Sequence, residues 1–403
     1  MLTANDFKYL YRNYYRILQA KLIFLIFKMA AYQGKLCIFV KNKNCKGCRV
    51  LLSIITIKEM EKWDIIVKSF KEYDVYHLSG YVKKFHIHGD GDPLLFYYEE
   101  SGLRAINVVM KRQITQNSNL NFKLTNGSYF DLATPYGYGG FLIEGAAREE
   151  HLQRMNEEYS AYCKSNGIIC EFVRFHPVIK NSALVEGLYN VSTLGKTITL
   201  TLDSKEQIRS NFSKEKRAQV RKARKSGVKV LCGHDEELYK EFIPMYNATM
   251  DKNKAEEYYY FENDFYNCIL KDLRKNTLIF YAEYQGKKIA MDLILFANKQ
   301  IHGHLSAFDR KYRHLSPTAL LIYETACWGC DNGYKTLHLG GGLGCNEDNL
   351  YQFKRAFNKH SDTTFEIGRK IFDKVKYEEL VKMWTSGRQT EEVPTFFPQY
   401  RAV

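Results

Sequence analysis

The segment of residues 277–342 constrains the fold of this chain most, because it predicts strands, a helix and a further strand in an order that few folds use. Apolar runs separated by short polar turns predict an antiparallel meander, and Gln285-Gly286-Lys287 is typical of a hairpin turn. The three predicted strands are Thr277–Tyr284, Ile289–Phe296 and Ile301–Phe308. The periodicity of Thr318–Asp331 predicts a buried helix, and Thr336–Gly342 predicts a strand that ends in a glycine cluster.

A second glycine-rich segment, Leu132–Gly140, contains three glycines, one proline and two tyrosines. Such a turn is rigid, leaves its backbone open to a ligand and offers the tyrosine rings as walls. After it, Arg148–Gly167 predicts a helix, and the strand that follows ends at Arg174-Phe-His-Pro177. The alternative is an ordinary turn between a strand and a helix, which composition alone favours.

The segment Ser213–Val228 spaces its lysines and arginines as on a helix, with Gly227 as the helix stop. These cations could clamp the phosphates of a nucleotide-linked substrate or of a tRNA acceptor end. The alternative is a solvated helix face, which is the usual role of such a charge run.

The glycine cluster Gly340–Gly342 lets the backbone approach a ligand closely, and the next segment presents Lys354 beside Phe353. A fixed cation at this point would suit an acyl transfer, because an amine that attacks an ester or thioester forms an oxyanion. From the residues alone, a surface lysine on an amphipathic helix is the simpler interpretation. No Cys-His or Ser-His-Asp arrangement is evident, so direct transfer is expected rather than a covalent enzyme intermediate.

The formal charge of +14 is concentrated at the N-terminus. Residues 1–53 contain ten lysines and arginines and one acidic residue, Asp6, and so carry +9 of that charge. Their apolar stretch, residues 17–31, is interrupted by two lysines and is too short to cross a hydrocarbon layer of about 30 Å. A basic amphipathic helix on an anionic membrane surface is one interpretation. A helix docked on the body or an extension without a defined fold is the other.

The ten cysteines are scattered, and no signal peptide precedes them, which favours a reducing compartment and free thiols. We therefore expect a cytoplasmic protein. The basic leader suggests the alternative of a peripheral position on the inner face of the membrane. Two Cys-x-x-Cys pairs, Cys45/Cys48 and Cys327/Cys330, are present. The second pair falls inside the predicted buried helix, so we expect core packing and no metal site.

Taken in order, these motifs resemble those of the Fem family, the GNAT-related aminoacyltransferases that build peptidoglycan cross-bridges. They resemble most its shorter relatives in bacterial surface-polysaccharide loci. The matching segments are TPYGYGG, RFHP with Asn181, Ser213–Val228, HLSAFDRKYRHLSP, HLGGG and LYQFKRAF, which span roughly residues 54–385. In the phosphate-binding loop of the GNAT superfamily this chain keeps Arg313 but has Ser316 and Thr318 at the glycine positions.

The resemblance implies an α+β fold of two tandem GNAT-like domains, each a mixed, mainly antiparallel twisted sheet with helices on both faces. We expect a basic extension over residues 1–53, a first domain over 54–200, a second domain with the acyltransferase core over 201–385, and a tail over 386–403. The Tyr-Gly turn and the RFHP strand would then lie in the first half, and both would face a cleft shared with the second.

The resemblance also assigns roles to residues. Lys354, with Phe353, is expected at the acyl-transfer site. The expected substrate-binding residues are Tyr136, Gly137, Tyr138, Arg174, His176, Arg221 and Arg224. The expected acyl-donor-binding residues are Arg313, Ser316, Gly341 and Gly342.

The function implied is transfer of an acyl or aminoacyl group to an amine of a cell-envelope precursor, either peptidoglycan or surface polysaccharide. No permanently bound cofactor is expected. The donor is either aminoacyl-tRNA or acyl-CoA, and DNA is not among the expected partners. One alternative is an acetyl-CoA-dependent N-acetyltransferase that acts on an amino sugar. Another is a binding module without catalysis whose basic leader binds a membrane or nucleic acid.

Removal of residues 1–53 tests the role of the basic leader. We expect the truncated protein to unfold cooperatively and to bind anionic vesicles more weakly at low salt, because most of the positive charge is gone. Vesicle sedimentation and thermal unfolding measure the two effects. Loss of cooperative unfolding would show instead that the leader belongs to the core.

Overall fold

The computed structural model describes residues 51–114, 128–361, 363–386 and 396–402. The basic leader over residues 1–50 and the Cys45/Cys48 pair lie outside the described residues. Leu51–Thr56 form the first strand, so the predicted leader boundary at residue 53 falls inside that strand. A truncation that keeps the whole strand therefore begins at residue 51.

The first sheet contains eight strands. They are β1 (Leu51–Thr56), β2 (Asp92–Glu100), β3 (Leu103–Gln113), β4 (Phe130–Ala133), β5 (Leu142–Gly145), β6 (Ile168–Arg174), β7 (Asn190–Lys196) and β14 (Thr364–Ile371). Their order is β1-β2-β3-β4-β6-β14-β7, and β5 pairs separately with β3. Every pairing is antiparallel except that of β4 with β6.

The second sheet contains six strands in the order β8-β13-β12-β11-β10-β9. They are β8 (Ile198–Thr201), β9 (Lys229–Gly233), β10 (Thr277–Tyr284), β11 (Lys287–Ala297), β12 (Gln300–Phe308) and β13 (Thr336–Gly340). The two sheets confirm the predicted α+β architecture of mixed, mainly antiparallel sheets. Because β14 joins the first sheet after the second is complete, the chain crosses between the sheets twice.

Helices cover both sheets. They are α1 (Met60–Lys68), α2 (Ser79–His88), α3 (Glu149–Ser165), α4 (Lys205–Asn211), α5 (Lys214–Lys225), α6 (Glu236–Asn253), α7 (Asn263–Asp272), α8 (Pro317–Asp331), α9 (Asn349–Arg355) and α10 (Lys374–Ser386). Among the described residues, no helix combines the length and the apolar character that crossing a membrane requires.

The predicted meander is confirmed, because β10, β11 and β12 pair antiparallel in sequence order. The turn between β10 and β11 has positive φ at Gln285 (50°) and Gly286 (74°), which suits a tight hairpin. Helix α8 begins at Pro317, where the missing N–H of proline costs the helix nothing. Cys327 and Cys330 lie in this helix, and the described cysteines form no disulfide.

The central strand β11 is buried on both of its faces. Met291, Leu293 and Leu295 point into a core that the second sheet shares with β2, β3 and the helices α1, α2, α6 and α7. Ala290 and Ile294 alternate with them and pack beneath α8 on the other face. The shared core therefore holds the two sheets together through apolar contact.

A buried polar junction reinforces this contact. The carboxylate of Asp74, which precedes α2, is fully buried and accepts hydrogen bonds from His176 Nε2, 2.8 Å away, and from His302 Nε2, 2.6 Å away. His176 follows β6 of the first sheet, whereas His302 lies on β12 of the second. Burial alone would raise the pKa of Asp74, but attraction to His302 and the hydrogen bonds from both imidazoles outweigh burial and lower it. One carboxylate therefore links both sheets.

Burial of neutral histidines near this junction makes stability depend on pH. Burial lowers the pKa of His77 to about 4, and it also lowers the pKa of His176 despite the attraction of Asp74. Since the pKa of an unfolded histidine is about 6.5, the unfolded state takes up protons at a higher pH than the folded state. We expect the free energy of unfolding to fall steadily between about pH 6.5 and pH 4, as measured by urea titration.

Two variants serve as the comparison. His77→Gln removes one buried histidine and should make the pH dependence shallower. His86→Gln replaces a histidine whose side chain is 42% exposed and should leave the slope as in the wild type. Equal slopes in all three proteins would contradict the assignment to buried histidines.

Candidate active site

The Tyr-Gly turn is anchored to the end of β6. Thr134 Oγ1 accepts a hydrogen bond from Arg174 N at 2.8 Å, and Gly139 N donates to Arg174 O at 2.8 Å. Asn181 donates from Nδ2 to the carbonyl oxygen of Gly139 at 2.9 Å, and its Oδ1 accepts from His176 N at 2.8 Å. The turn and the RFHP segment therefore form one hydrogen-bonded unit at the end of β6.

Gly137 is required in this turn by its conformation and by its surroundings. Its φ is +102°, and a Cβ at this position would lie 2.5 Å from the ring of Tyr76. The two tyrosines beside it reach different neighbours. Tyr136 contacts Phe85 with ring centroids 5.6 Å apart, whereas Tyr138 contacts His338 at 5.3 Å.

Tyr138 and His338 connect the turn to the second sheet. The Tyr138 hydroxyl lies 3.1 Å from His338 Nε2, and His338 Nδ1 lies 2.9 Å from Thr199 Oγ1. Burial lowers the pKa of His338 well below its ordinary value, so the ring is neutral and can accept the phenolic O–H. Sequence reasoning missed His338 and Thr199, although His338 stands in the quoted HLGGG motif. Asp74 and His302 were missed as well, and no sequence signal marked Asp74.

The parallel strands β12 and β13 separate beside this contact. Their pairing ends at His302 and His338, although β12 continues to Phe308. Gly340 closes β13 with a φ of +74°, and the carbonyl of Gly341 accepts a hydrogen bond from Lys354 Nζ at 2.6 Å. The ammonium group is therefore held at the end of β13.

Lys354 is a partly buried cation on the short helix α9, whose N-cap is Asp348. Burial lowers the pKa of Lys354 to about 8, although attraction to Asp348 acts in the opposite direction. In the part of the chain that the structure describes, no carboxylate lies within ion-pair distance of its Nζ. The group is therefore mostly charged at neutral pH and free to meet a negative charge.

Two of the predicted site residues bond to the C-terminal part of β13 and the residue after it. Tyr138 lies beside His338, and Lys354 donates to the carbonyl of Gly341. Phe353 has a different environment, because its ring contacts Phe357, with centroids 5.2 Å apart, and Lys216 Nζ at 4.2 Å. The ring of Phe353 thus has aromatic neighbours different from those of Tyr136 and Tyr138.

Three other predicted residues, Arg174, Arg313 and Ser316, have different surroundings. The Arg174 guanidinium lies 5.8 Å from the center of the Tyr136 ring. Arg313 is exposed in the 3-10 turn before α8, and Ser316 has a left-handed φ of 56° there. Because β12 and β13 are parallel neighbours, this turn and Gly342 follow strands that end at the same edge of the sheet.

Arg221 and Arg224 lie on α5, which packs against α8. Arg224 donates from Nη2 to Glu324 at 2.6 Å and lies 5.0 Å from the center of the Tyr323 ring. The helix begins after Ser213, whose hydroxyl accepts a hydrogen bond from Lys216 N and so caps it. These arginines are thus displayed on the helix that contacts Phe353 through Lys216.

Asp74, His176 and His302 have the side chains of a metal site, since their ligand atoms lie within 4.8 Å of one another. Their hydrogen bonds do not fit a metal. His176 Nδ1 accepts N–H groups from Val178 at 3.3 Å and Ile179 at 3.2 Å. A metal-bound imidazole donates from its second nitrogen, whereas His176 must carry its proton on Nε2. The cluster is therefore a hydrogen-bonded junction.

Known proteins share the fold of this chain, and one family of domains matches part of its sequence. The model of the acetyltransferase (GNAT) domain family matches residues 210–355. The crystal structure of FemX is similar, with 15% sequence identity, a TM-score of 0.60, and coverage of 81% of this chain and 99% of that chain. Among curated proteins, no sequence matches.

Two further structures share the fold. The C-terminal domain of a putative lysylphosphatidylglycerol synthetase from Agrobacterium fabrum is 13% identical, with a TM-score of 0.50 over 82% of this chain and 97% of that chain. A conserved protein of unknown function from Bacteroides thetaiotaomicron is 10% identical, with a TM-score of 0.52 over 80% and 99%. Residues 210–355 therefore match a GNAT acetyltransferase domain, and the two-sheet fold of the chain is similar to that of FemX.

Proposed function

We propose that this protein is an acyltransferase that moves an acyl or aminoacyl group to an amine of a cell-envelope precursor, peptidoglycan or surface polysaccharide. The match to the GNAT acetyltransferase domain supports the reaction class. The observation that carries the proposal is Lys354, a partly buried cation held by Gly341 O where β12 and β13 separate. The similarity of the fold to FemX motivates the choice of acceptor.

Lys354 supplies the charge that this reaction needs. When the amine attacks the acyl carbonyl, a C–N bond forms, the carbonyl oxygen becomes an oxyanion, and the ester or thioester bond then breaks. An ammonium group fixed before the reaction stabilises that oxyanion without reorganisation, which contributes several kcal/mol. Its bond to Gly341 O fixes the position of Nζ, and the remaining two N–H groups are free to point at the substrate.

Tyr138 orients the amine in this proposal. Its hydroxyl hydrogen is directed to His338 Nε2, which leaves the lone pairs of the phenolic oxygen for an N–H of the acceptor. Burial raises the pKa of Tyr138, so the phenol stays protonated. Tyr138 is therefore a positioning group, and the proton that the amine loses passes to solvent.

The donor is either aminoacyl-tRNA or acyl-CoA, and neither is held permanently. Pro317 removes one of the backbone N–H groups that would bind an acyl-CoA pyrophosphate at the start of α8, and Ser316 adds a side chain there. These two departures from the glycine-rich loop of the GNAT superfamily favour aminoacyl-tRNA as the donor. The acceptor side of the site, in the first half, is formed in this proposal by Tyr136 and Arg174. His176 contributes indirectly, through its hydrogen bond to Asp74.

Substitution of Lys354 tests the mechanism. Lys354→Met should lower kcat by about two to three orders of magnitude with little change in KM, because the charge acts only in the transition state. Lys354→Arg should recover part of the rate, since a planar guanidinium places its charge differently. In the wild type, kcat should fall above about pH 8, where Lys354 loses its proton.

Arg355→Met is the matched control, because it removes a neighbouring exposed cation from the same helix. Its kcat should remain close to the wild-type value. If Lys354 instead binds the acceptor in its ground state, Lys354→Met will raise KM at nearly unchanged kcat. Wild-type constants for Lys354→Met would remove this residue from the site.

Direct comparison of donors tests the reaction class. The purified protein is offered charged tRNA and acetyl-CoA in parallel, and native mass spectrometry records which one is retained. We expect retention of charged tRNA and transfer of its aminoacyl group to an amine acceptor. Retention and turnover of acetyl-CoA alone would identify an N-acetyltransferase, and retention of neither would favour a binding module.

A further inference from the structure

A pocket of about 130 Å³ lies between α4, α5 and α8, outside the acyl-transfer center. Four arginines line it, namely Arg209, Arg217, Arg221 and Arg224, together with Phe212 and Tyr323. Three of the arginines project from one helix, α5, at spacings of four and three residues, which places them on one face. The fourth, Arg209, comes from α4, so two helices contribute to the pocket.

The floor of the pocket is rigid. Phe212 is almost fully buried and packs edge-on against Tyr323, with ring centroids 5.8 Å apart, and against Phe357 at 5.1 Å. Val220, which also lines the pocket, and Ala223 anchor α5 in the second core. The arginines therefore project from a fixed surface.

The pocket contains more positive charge than the protein neutralises. Arg224 is paired with Glu324, to which it donates from Nε at 3.1 Å and from Nη2 at 2.6 Å. Within the described ranges, Arg209, Arg217 and Arg221 form no ion pair with a carboxylate. Like charges four residues apart destabilise a helix, so this arrangement is unfavourable unless an anion binds between them.

We propose that this arginine pocket binds a phosphate group of the acyl donor, an inference that rests on the proposed acyl transfer. Guanidinium groups bind phosphate in a planar, bidentate geometry, and several of them around one small pocket suit a phosphate ester. The pocket is distinct from the turn at Arg313 and Ser316, because Tyr323 lies more than one helical turn further along α8.

The location of α5 connects the pocket with the reaction. Lys216, in the first turn of α5, lies 4.2 Å from the ring of Phe353, the neighbour of Lys354 in sequence. From Lys216 to Arg224 the helix rises by about 12 Å. A donor whose phosphate lies in the pocket can therefore extend along α5 and present its acyl end near α9. Both nucleotide-containing donors, acyl-CoA and aminoacyl-tRNA, carry phosphates remote from the acyl group.

The double variant Arg217→Gln/Arg221→Gln tests the pocket, and Lys222→Gln/Lys225→Gln is the matched control. The control removes the same charge from exposed positions of α5 that do not line the pocket. Binding of inorganic phosphate is measured by calorimetry, and the donor KM by transfer assays with charged tRNA and with acetyl-CoA. Thermal unfolding verifies that both variants are folded. Arg209→Gln is a second pocket variant, which removes the arginine that α4 contributes.

We expect the pocket variant to weaken phosphate binding and raise the donor KM by about tenfold or more, with kcat nearly unchanged, since charge-assisted hydrogen bonds are lost. The control should change both by less than about twofold. The donor whose KM rises identifies the source of the phosphate. Equal losses in both variants would show diffuse attraction and overturn the proposal, as would a wild type that binds no phosphate.

Phosphate binding and acyl transfer are measured separately, so a pocket that does not bind the donor is distinguished from a protein that does not transfer. An unchanged donor KM in a variant that no longer binds phosphate would overturn the link between pocket and donor while transfer itself stands. Absence of transfer by the wild type with either donor would contradict the proposed function and, with it, the assignment to a donor. Phosphate binding would still be measured independently of activity.

Discussion

The carboxylate of Asp74 is the interaction on which the arrangement of the two sheets depends. It accepts one hydrogen bond from His176 at the end of β6 and one from His302 on β12, in a setting that excludes water. Removing one partner of such a buried group leaves the others unsatisfied, at a cost of about 1–3 kcal/mol each. The apolar shared core holds the sheets in contact, and this junction defines which strand ends face each other.

The candidate site follows from that alignment. With His302 held by Asp74, the adjacent His338 on β13 is placed to accept the hydroxyl of Tyr138 from the first half. Beyond this pair the strands β12 and β13 are no longer hydrogen-bonded, and Lys354 binds the carbonyl of Gly341 at the edge of the opening. A cation from the second half and a tyrosine from the first therefore both bond near the end of β13.

The aromatic and basic residues around this center divide into environments with different roles. Tyr136 belongs to a group of rings with Phe85 and Tyr258, whereas Phe353 links α9 to Lys216 on α5. The basic helix is amphipathic, with Val220 and Ala223 in the core and arginines directed to a pocket against α8. In this arrangement α5 serves both as support for the helix that carries Lys354 and as a cationic surface.

Local patterns in the sequence determined the strands β10 to β13 of the second sheet and the helix α8. The turns at Gln285-Gly286 and Asn298-Lys299 have positive φ, the strands between them are apolar, and Pro317 marks the first residue of α8, so each element is specified within a few residues. The helix α5 was equally predictable from the spacing of its basic residues and the Gly227 stop. Only the tertiary structure decided the return of β14 to the first sheet, the junction at Asp74 and the contact of Tyr138 with His338. These features depend on contacts between residues more than 100 positions apart, such as Asp74 with His176 and His302, for which no local periodicity or turn preference exists.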